Sequence, residues 1–221
     1  MTLEYRVKKF VEALLTWGKK SSRSFPWRKT SNPYKILIAE IMLQRTRADQ
    51  VIPVFREFIS SYPSPHALVD APLSDIRDSI RSLGLEKRAF GLKRLAEQLV
   101  KDHNGRVPSD KVELIRLYGV GNYIANAVLC HAYGVEVPTV DANFARVLKR
   151  VFSLQSKEPA QKDRNFWSFA EHTMTYARGH SRALNLAVID LASLICTPKN
   201  PKCPKCLLNK ICDYASKANK T

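Results

Sequence analysis

Long apolar runs are missing from this sequence. Every hydrophobic stretch is broken by a charge before it reaches the roughly 20 residues a membrane helix needs, so a bilayer span is excluded. Met1 to Lys9 is charged and has no apolar centre, which excludes a secretory signal, and a soluble cytoplasmic protein is expected. Glycine is scarce, at 8 of 221 residues, and no internal repeat or low-complexity tract interrupts the chain, which excludes repeat arrays and long flexible linkers. Strict alternation of apolar and polar residues, the mark of a half-buried strand, is nearly absent. The histidines (His66, His103, His131, His172 and His180) form no metal-binding spacing. Acidic residues are few, 20 against 36 lysines and arginines, leaving a net charge of +16. The excess runs along the whole chain, so the folded body itself is the surface a polyanion would meet, and nucleic acid is the commonest such partner. A basic surface kept for solubility is the plainer alternative.

What is present is helical periodicity. With 45% hydrophobic residues the chain can bury a core. Residues 3–20 set Val7, Phe10, Val11, Leu14 and Leu15 on one stripe, and 141–152 does the same with Phe144, Val147, Leu148 and Val151. Segments 33–47, 49–61, 73–81, 87–102, 110–117, 122–134, 163–176 and 182–195 carry similar patterns. Pro53 falls early in its segment, where a helix tolerates proline best. An all-α fold follows.

Two local motifs stand out. Of five cysteines, Cys130 reads as a buried core thiol, while Cys196, Cys203, Cys206 and Cys212 cluster as C-x6-C-x2-C-x5-C. A zinc ribbon would pair two C-x2-C knuckles, and only one exists here. Four thiolates in a compact loop suit a tetrahedral metal or an iron–sulfur cubane, and spacing does not choose between them. Lys199, Lys202, Lys205 and Lys210 stud the loop, either balancing thiolate charge or gripping phosphate. The second motif is Leu-Tyr-Gly-Val-Gly-Asn-Tyr-Ile-Ala at 117–125. Gly119 and Gly121, around Val120, allow a sharp turn and a close approach by a partner. Asn122 can cap the following helix, whose free N–H groups offer a phosphate seat. An ordinary corner between helices is the alternative.

The hairpin, Val140-Asp141 about twenty residues further on and the terminal cysteine loop together resemble the helix-hairpin-helix DNA glycosylases of the endonuclease III type. The likeness runs from about Phe25-Pro26-Trp27 to Cys212. Phe25-Pro-Trp-Arg28, Asn32-Pro-Tyr34 and Ile38-Ala-Glu-Ile-Met-Leu-Gln-Arg-Thr46 look like the branch holding the adenine glycosylase MutY and the thymine/uracil mismatch glycosylase Mig. The resemblance implies a two-lobed fold with a C-terminal [4Fe-4S] cluster loop. A helical-barrel lobe at 25–135 would hold the hairpin (110–134). A second lobe, 1–24 plus 136–221, would hold the iron–sulfur loop at 196–212, ligated by Cys196, Cys203, Cys206 and Cys212. It implies a partner, double-stranded DNA with a mismatched base, and a monomer working at the nucleoid.

The resemblance also places residues. Asp141 falls on the family's catalytic aspartate and Glu40 on the glutamate of the MutY and Mig branch. Gln44, followed by Arg45, falls on the residue that fills the gap left by a flipped base, and Leu85 looks like the wedge opposite. Gly119, Val120, Gly121, Lys199 and Lys202 would contact DNA. Tyr123 falls where endonuclease III has lysine, MutY usually serine and Mig tyrosine. Releasing a base requires stabilising an oxocarbenium-like sugar, which a carboxylate beside C1′ does. Each residue also has a plainer reading: Asp141 as an N-cap, Glu40 with Gln44 and Arg47 as a solvated helical stripe, Tyr123 as packing. Without an amine at 123 no Schiff base can form, so hydrolysis without strand cleavage is implied. The expected activity is removal of thymine or uracil opposite guanine. The alternatives are a MutY-type adenine glycosylase, against which stand Tyr123 and the few residues after Cys212, and a DNA-binding module without activity, against which stand Glu40 and Asp141.

Overall fold

A computed structural model describes residues 1–84, 87–156, 159 and 162–218. Leu85, the expected wedge, lies outside them. The described residues are helical, without strands. Among them twelve α-helices follow one another: α1 (Leu3–Ser21), α2 (Pro33–Leu43), α3 (Ala48–Ser61), α4 (Pro65–Asp70), α5 (Leu73–Ser79), α6 (Lys87–His103), α7 (Lys111–Arg116), α8 (Asn122–Tyr133), α9 (Ala142–Phe152), α10 (Arg164–Thr175), α11 (Ser181–Leu194) and α12 (Asp213–Ala218). They divide into a central unit, Ser24–Tyr133, and a terminal unit, Met1–Arg23 with Gly134–Thr221. No helix among the described residues is long and apolar enough to cross a membrane.

The central unit is built around two helices that are buried on all sides. In α2, Tyr34 and every residue from Ile36 to Met42 are buried, and in α8 every residue from Ile124 to His131. Helices this apolar all round are core helices, and they pack against each other. Asn32 starts α2 by accepting from the Lys35 N–H (3.1 Å), with Pro33 in the first turn. Helices α4 and α5 lie on α6.

In the terminal unit α11 packs on both α1 and α9. The stripes of Val7, Phe10, Val11 and Leu14 and of Phe144, Val147, Leu148 and Val151 both reach the core. Asn185 on α11 is fully buried and grips the segment leading into α9. Its Oδ1 accepts from the Thr139 N–H (3.0 Å) and its Nδ2 donates to the Val137 carbonyl (2.9 Å). That segment ends at Asp141, so α11 sets the height at which α9 begins.

Three departures from the periodicity have physical causes. The 33–47 pattern stops at Leu43, because Gln44 leaves helical geometry and Arg45 turns left-handed (φ 56°). Helix α4 is too short to register a 3.6-residue period, and its signal is Ser64, whose Oγ accepts from the Ala67 N–H (3.3 Å), followed by Pro65. Pro53 sits in the second turn of α3, past the positions where its missing N–H costs nothing.

Removing the Asn185 amide leaves a buried N–H and a part-buried carbonyl without it. Asn185→Ala is expected to destabilise the protein by about 2–4 kcal/mol, read as an earlier midpoint in urea or thermal unfolding.

Candidate functional site

The hairpin forms as its glycines direct. Helix α7 ends at Arg116, the Val120 N–H donates to the Leu117 carbonyl (3.1 Å), and Gly119 takes a left-handed conformation (φ 77°). Gly121, rather than the expected Asn122, takes the N-cap place: α8 begins at Asn122 and the Gly121 carbonyl accepts from the Ala125 N–H (2.9 Å). At Gly121 φ is not positive, and an added Cβ would enter open space. No neighbouring atom within the described residues demands glycine there. The Val120 side chain is buried, so the outward face belongs to Gly119 and Gly121. Tyr118, to which the motif gives no role, is exposed, and its N–H donates to Gln98 Oε1 (2.6 Å). Tyr123 is half-buried in the first turn of α8.

Gln44 and Arg45 are both exposed on the turn after α2. Gln44 Nε2 donates to the Gly119 carbonyl (3.4 Å), so the structure joins this turn to the hairpin. The expected stripe of Glu40, Gln44 and Arg47 does not exist: Gln44 is the C-cap of α2 and Arg47 the N-cap of α3. Glu40 is 7% exposed among the buried apolar residues Ile36 to Met42, which rules out a solvated face. A carboxylate in such surroundings is costly to keep.

In the terminal unit Asp141 caps α9. Its Oδ1 accepts from the Phe144 N–H (2.7 Å) and its Oδ2 from Asn143 Nδ2 (2.7 Å). Burial raises its pKa above the usual carboxylate range, opposed by those two donors and by the charge of Arg146. Arg146 Nη2 donates to Asn143 Oδ1 (3.1 Å) and its Nε to the Cys196 carbonyl (3.0 Å). One turn on, Arg150 Nη1 donates to the Thr197 carbonyl (2.7 Å) and to Cys196 Sγ (3.4 Å). One helix therefore presents Asp141 at its head and holds the cysteine loop along its side. Sequence reasoning misses Asn143, Arg146 and Arg150, whose partners lie two residues away or across the unit.

The four terminal cysteines are free and line one small pocket, together with Val147, Val151, Leu191 and Leu208. Burial pushes the Cys206 thiol up to about 11, and Cys212 upward as well. Among the described residues no three His, Cys, Asp or Glu side chains converge on one metal ion. Lys199 and Lys202 are exposed on the loop.

Residues 38–172 match the HhH-GPD superfamily base excision DNA repair protein family. The chain is 39% identical to the thymine/uracil-DNA glycosylase of Pyrobaculum aerophilum, over 95% of this chain and 93% of that one. It is 38% identical to the thymine/uracil-DNA glycosylase of Methanothermobacter thermautotrophicus, over 96% of each. The solved structure of a thermostable thymine-DNA glycosylase superposes with a TM-score of 0.91 at 38% identity, covering 97% of this chain and 98% of that one. The chain belongs to the HhH-GPD superfamily of base excision DNA repair proteins.

Proposed function

We propose that the protein is a monofunctional DNA glycosylase that removes thymine or uracil mispaired with guanine by hydrolysing the N-glycosidic bond, acting as a monomer on double-stranded DNA. The observation that carries the choice of chemistry is Tyr123, which puts a phenol and no amine in the first turn after the hairpin. Support for the target base comes from the thymine/uracil-DNA glycosylases it resembles along nearly its whole length.

The central unit, taken as the barrel lobe, has the parts for gripping DNA. Gly119 and Gly121 expose backbone to a phosphate, and with a net charge of +16 the contact is strongly salt-dependent. Gln44 and Arg45 stand exposed beside the hairpin, where Gln44 fills the gap left by the extruded base. Asp141, ionised, stabilises positive charge developing at C1′ while water attacks. The Phe144 N–H and the Asn143 amide favour its anion and aim it. Glu40 supplies a second buried carboxylate, suited to moving the proton of the attacking water or departing base. The Tyr123 ring abuts the extruded base.

A [4Fe-4S] cluster fits the cysteine pocket. The four cysteines line one pocket, and four thiolates on one loop suit the four corners of a cubane. Cys196, Cys203, Cys206 and Cys212 would each hold one corner. When bound, the cluster supplies a covalent anchor for the loop and a charge that favours thiolates. Lys199 and Lys202 then stand on that loop as phosphate contacts.

Labelled duplexes bearing T:G, U:G, A:G and A:8-oxoguanine test the activity. Release of T or U opposite G, with strand breakage only after alkali, is expected. Release of adenine with T:G and U:G untouched would overturn the substrate. Tyr123→Lys is expected to gain a borohydride-trapped adduct through a Schiff base, and efficient trapping by the wild type would refute the monofunctional chemistry.

The cluster predicts yellow-brown protein with about four iron and four sulfide per chain. Cys203→Ser is expected to lose that colour and yield unstable protein. Stoichiometric zinc in colourless, anaerobically prepared protein would contradict it.

A further inference from the structure

Arg88 belongs to no motif, yet the turn after α2 hangs from it. It is the second residue of α6 and 8% exposed. Its Nη1 donates to the Met42 carbonyl (3.1 Å), and its Nη2 to the Gln44 carbonyl (2.7 Å) and to Thr46 Oγ1 (3.1 Å). Carbonyls at a helix C-terminus lose their helical partners, and one guanidinium takes up two of them. The planar fork reaches all three acceptors at once, which the point charge of a lysine does not. Between those anchors Arg45 holds φ 56°, a conformation that a residue with a side chain keeps only where its surroundings enforce it. Gln44 and Arg88 line, with Ile41, Gly91, Tyr118 and Gly119, a pocket beside the hairpin.

We propose that Arg88 is a positioning residue for base extrusion. Its guanidinium locks the 44–46 turn, so that the Gln44 amide stands at the edge of the hairpin before DNA arrives. A loose turn would have to be ordered at the moment Gln44 enters the duplex, raising the cost of extrusion. This inference rests on the glycosylase reading above. It singles out one step: Arg88 matters where a paired base must be displaced, and little where the base is already unpaired.

Arg88→Lys keeps the charge and loses the fork. Single-turnover base release is compared on the mismatch that wild type cleaves best and on the same target base opposite an abasic site. Release from the mismatch is expected to slow by roughly ten- to a hundredfold, and from the abasic-opposed base by less than about threefold. The double variant Arg88→Lys/Gln44→Ala is expected to be no slower than Gln44→Ala alone, because both act on the same step. If Arg88→Lys fails to fold, Thr46→Val, which removes one acceptor and leaves the guanidinium, is expected to move the same ratio by about two- to fivefold. The fluorescence of 2-aminopurine beside the target reports extrusion without base release and should fall in step. Equal slowing on both substrates, or losses that multiply in the double variant, would overturn the proposal and leave Arg88 a structural residue. A wild type that releases no base from any duplex would refute the glycosylase reading instead, and the fluorescence alone would then decide for or against Arg88.

Discussion

Holding a carboxylate charged at the partly buried head of a helix is the constraint that organises the terminal unit. Asp141 has to be removed from water, and that alone raises its pKa. The chain answers with a helix N-terminus, whose free N–H groups favour an anion, and with the Phe144 N–H and the Asn143 amide, one on each oxygen. Asn185 fixes the backbone before Asp141. Arg146 and Arg150 brace the rest of α9 against the cysteine loop. Burial works against the anion and the local donors work for it.

The central unit meets a different demand. Its two buried helices, α2 and α8, leave their ends free to act: α8 opens at the hairpin, and α2 closes in the turn carrying Gln44 and Arg45. Rigid cores thus hold short, strained segments at the surface. Gly119 and Arg45 both adopt positive φ, one a glycine that does so freely and one an arginine that must be held. Glu40 is a buried carboxylate within the apolar Ile36–Leu43 stretch of α2, a local conflict with its surroundings.

Much of this architecture is legible in the amino-acid sequence. Long amphipathic stripes such as Val7 to Leu14 are readable because burial follows their period, and the hairpin because Gly119 and Gly121 mark a turn between two apolar segments. The cysteine loop is readable as a metal site but not as zinc or iron–sulfur, since spacing carries the ligand types and not the identity of the metal. Periodicity fails where tertiary contacts override it. Nothing local announces that Arg88, over forty residues downstream, ends α2 by taking its carbonyls, so Glu40, Gln44 and Arg47 look like one exposed stripe. Asn143 and Arg146 escape notice for the same reason, because their partners lie across the fold or in a two-residue geometry that no period encodes.

The central claim, that Asp141 acts as an anion held ionised against its own burial, is tested most directly by the pH dependence of single-turnover base release. A carboxylate with a raised pKa is charged above that value and protonated below it. Activity should therefore fall in acid with a midpoint above the roughly 3.9 of a free aspartate. Asn143→Ala, which removes a donor to the anion, should move that midpoint higher. Asp141→Asn keeps the cap and should bind duplex as wild type does while losing at least about a hundredfold in rate at every pH. Full activity in Asp141→Asn, or an acid limb unmoved by Asn143→Ala, would contradict the account.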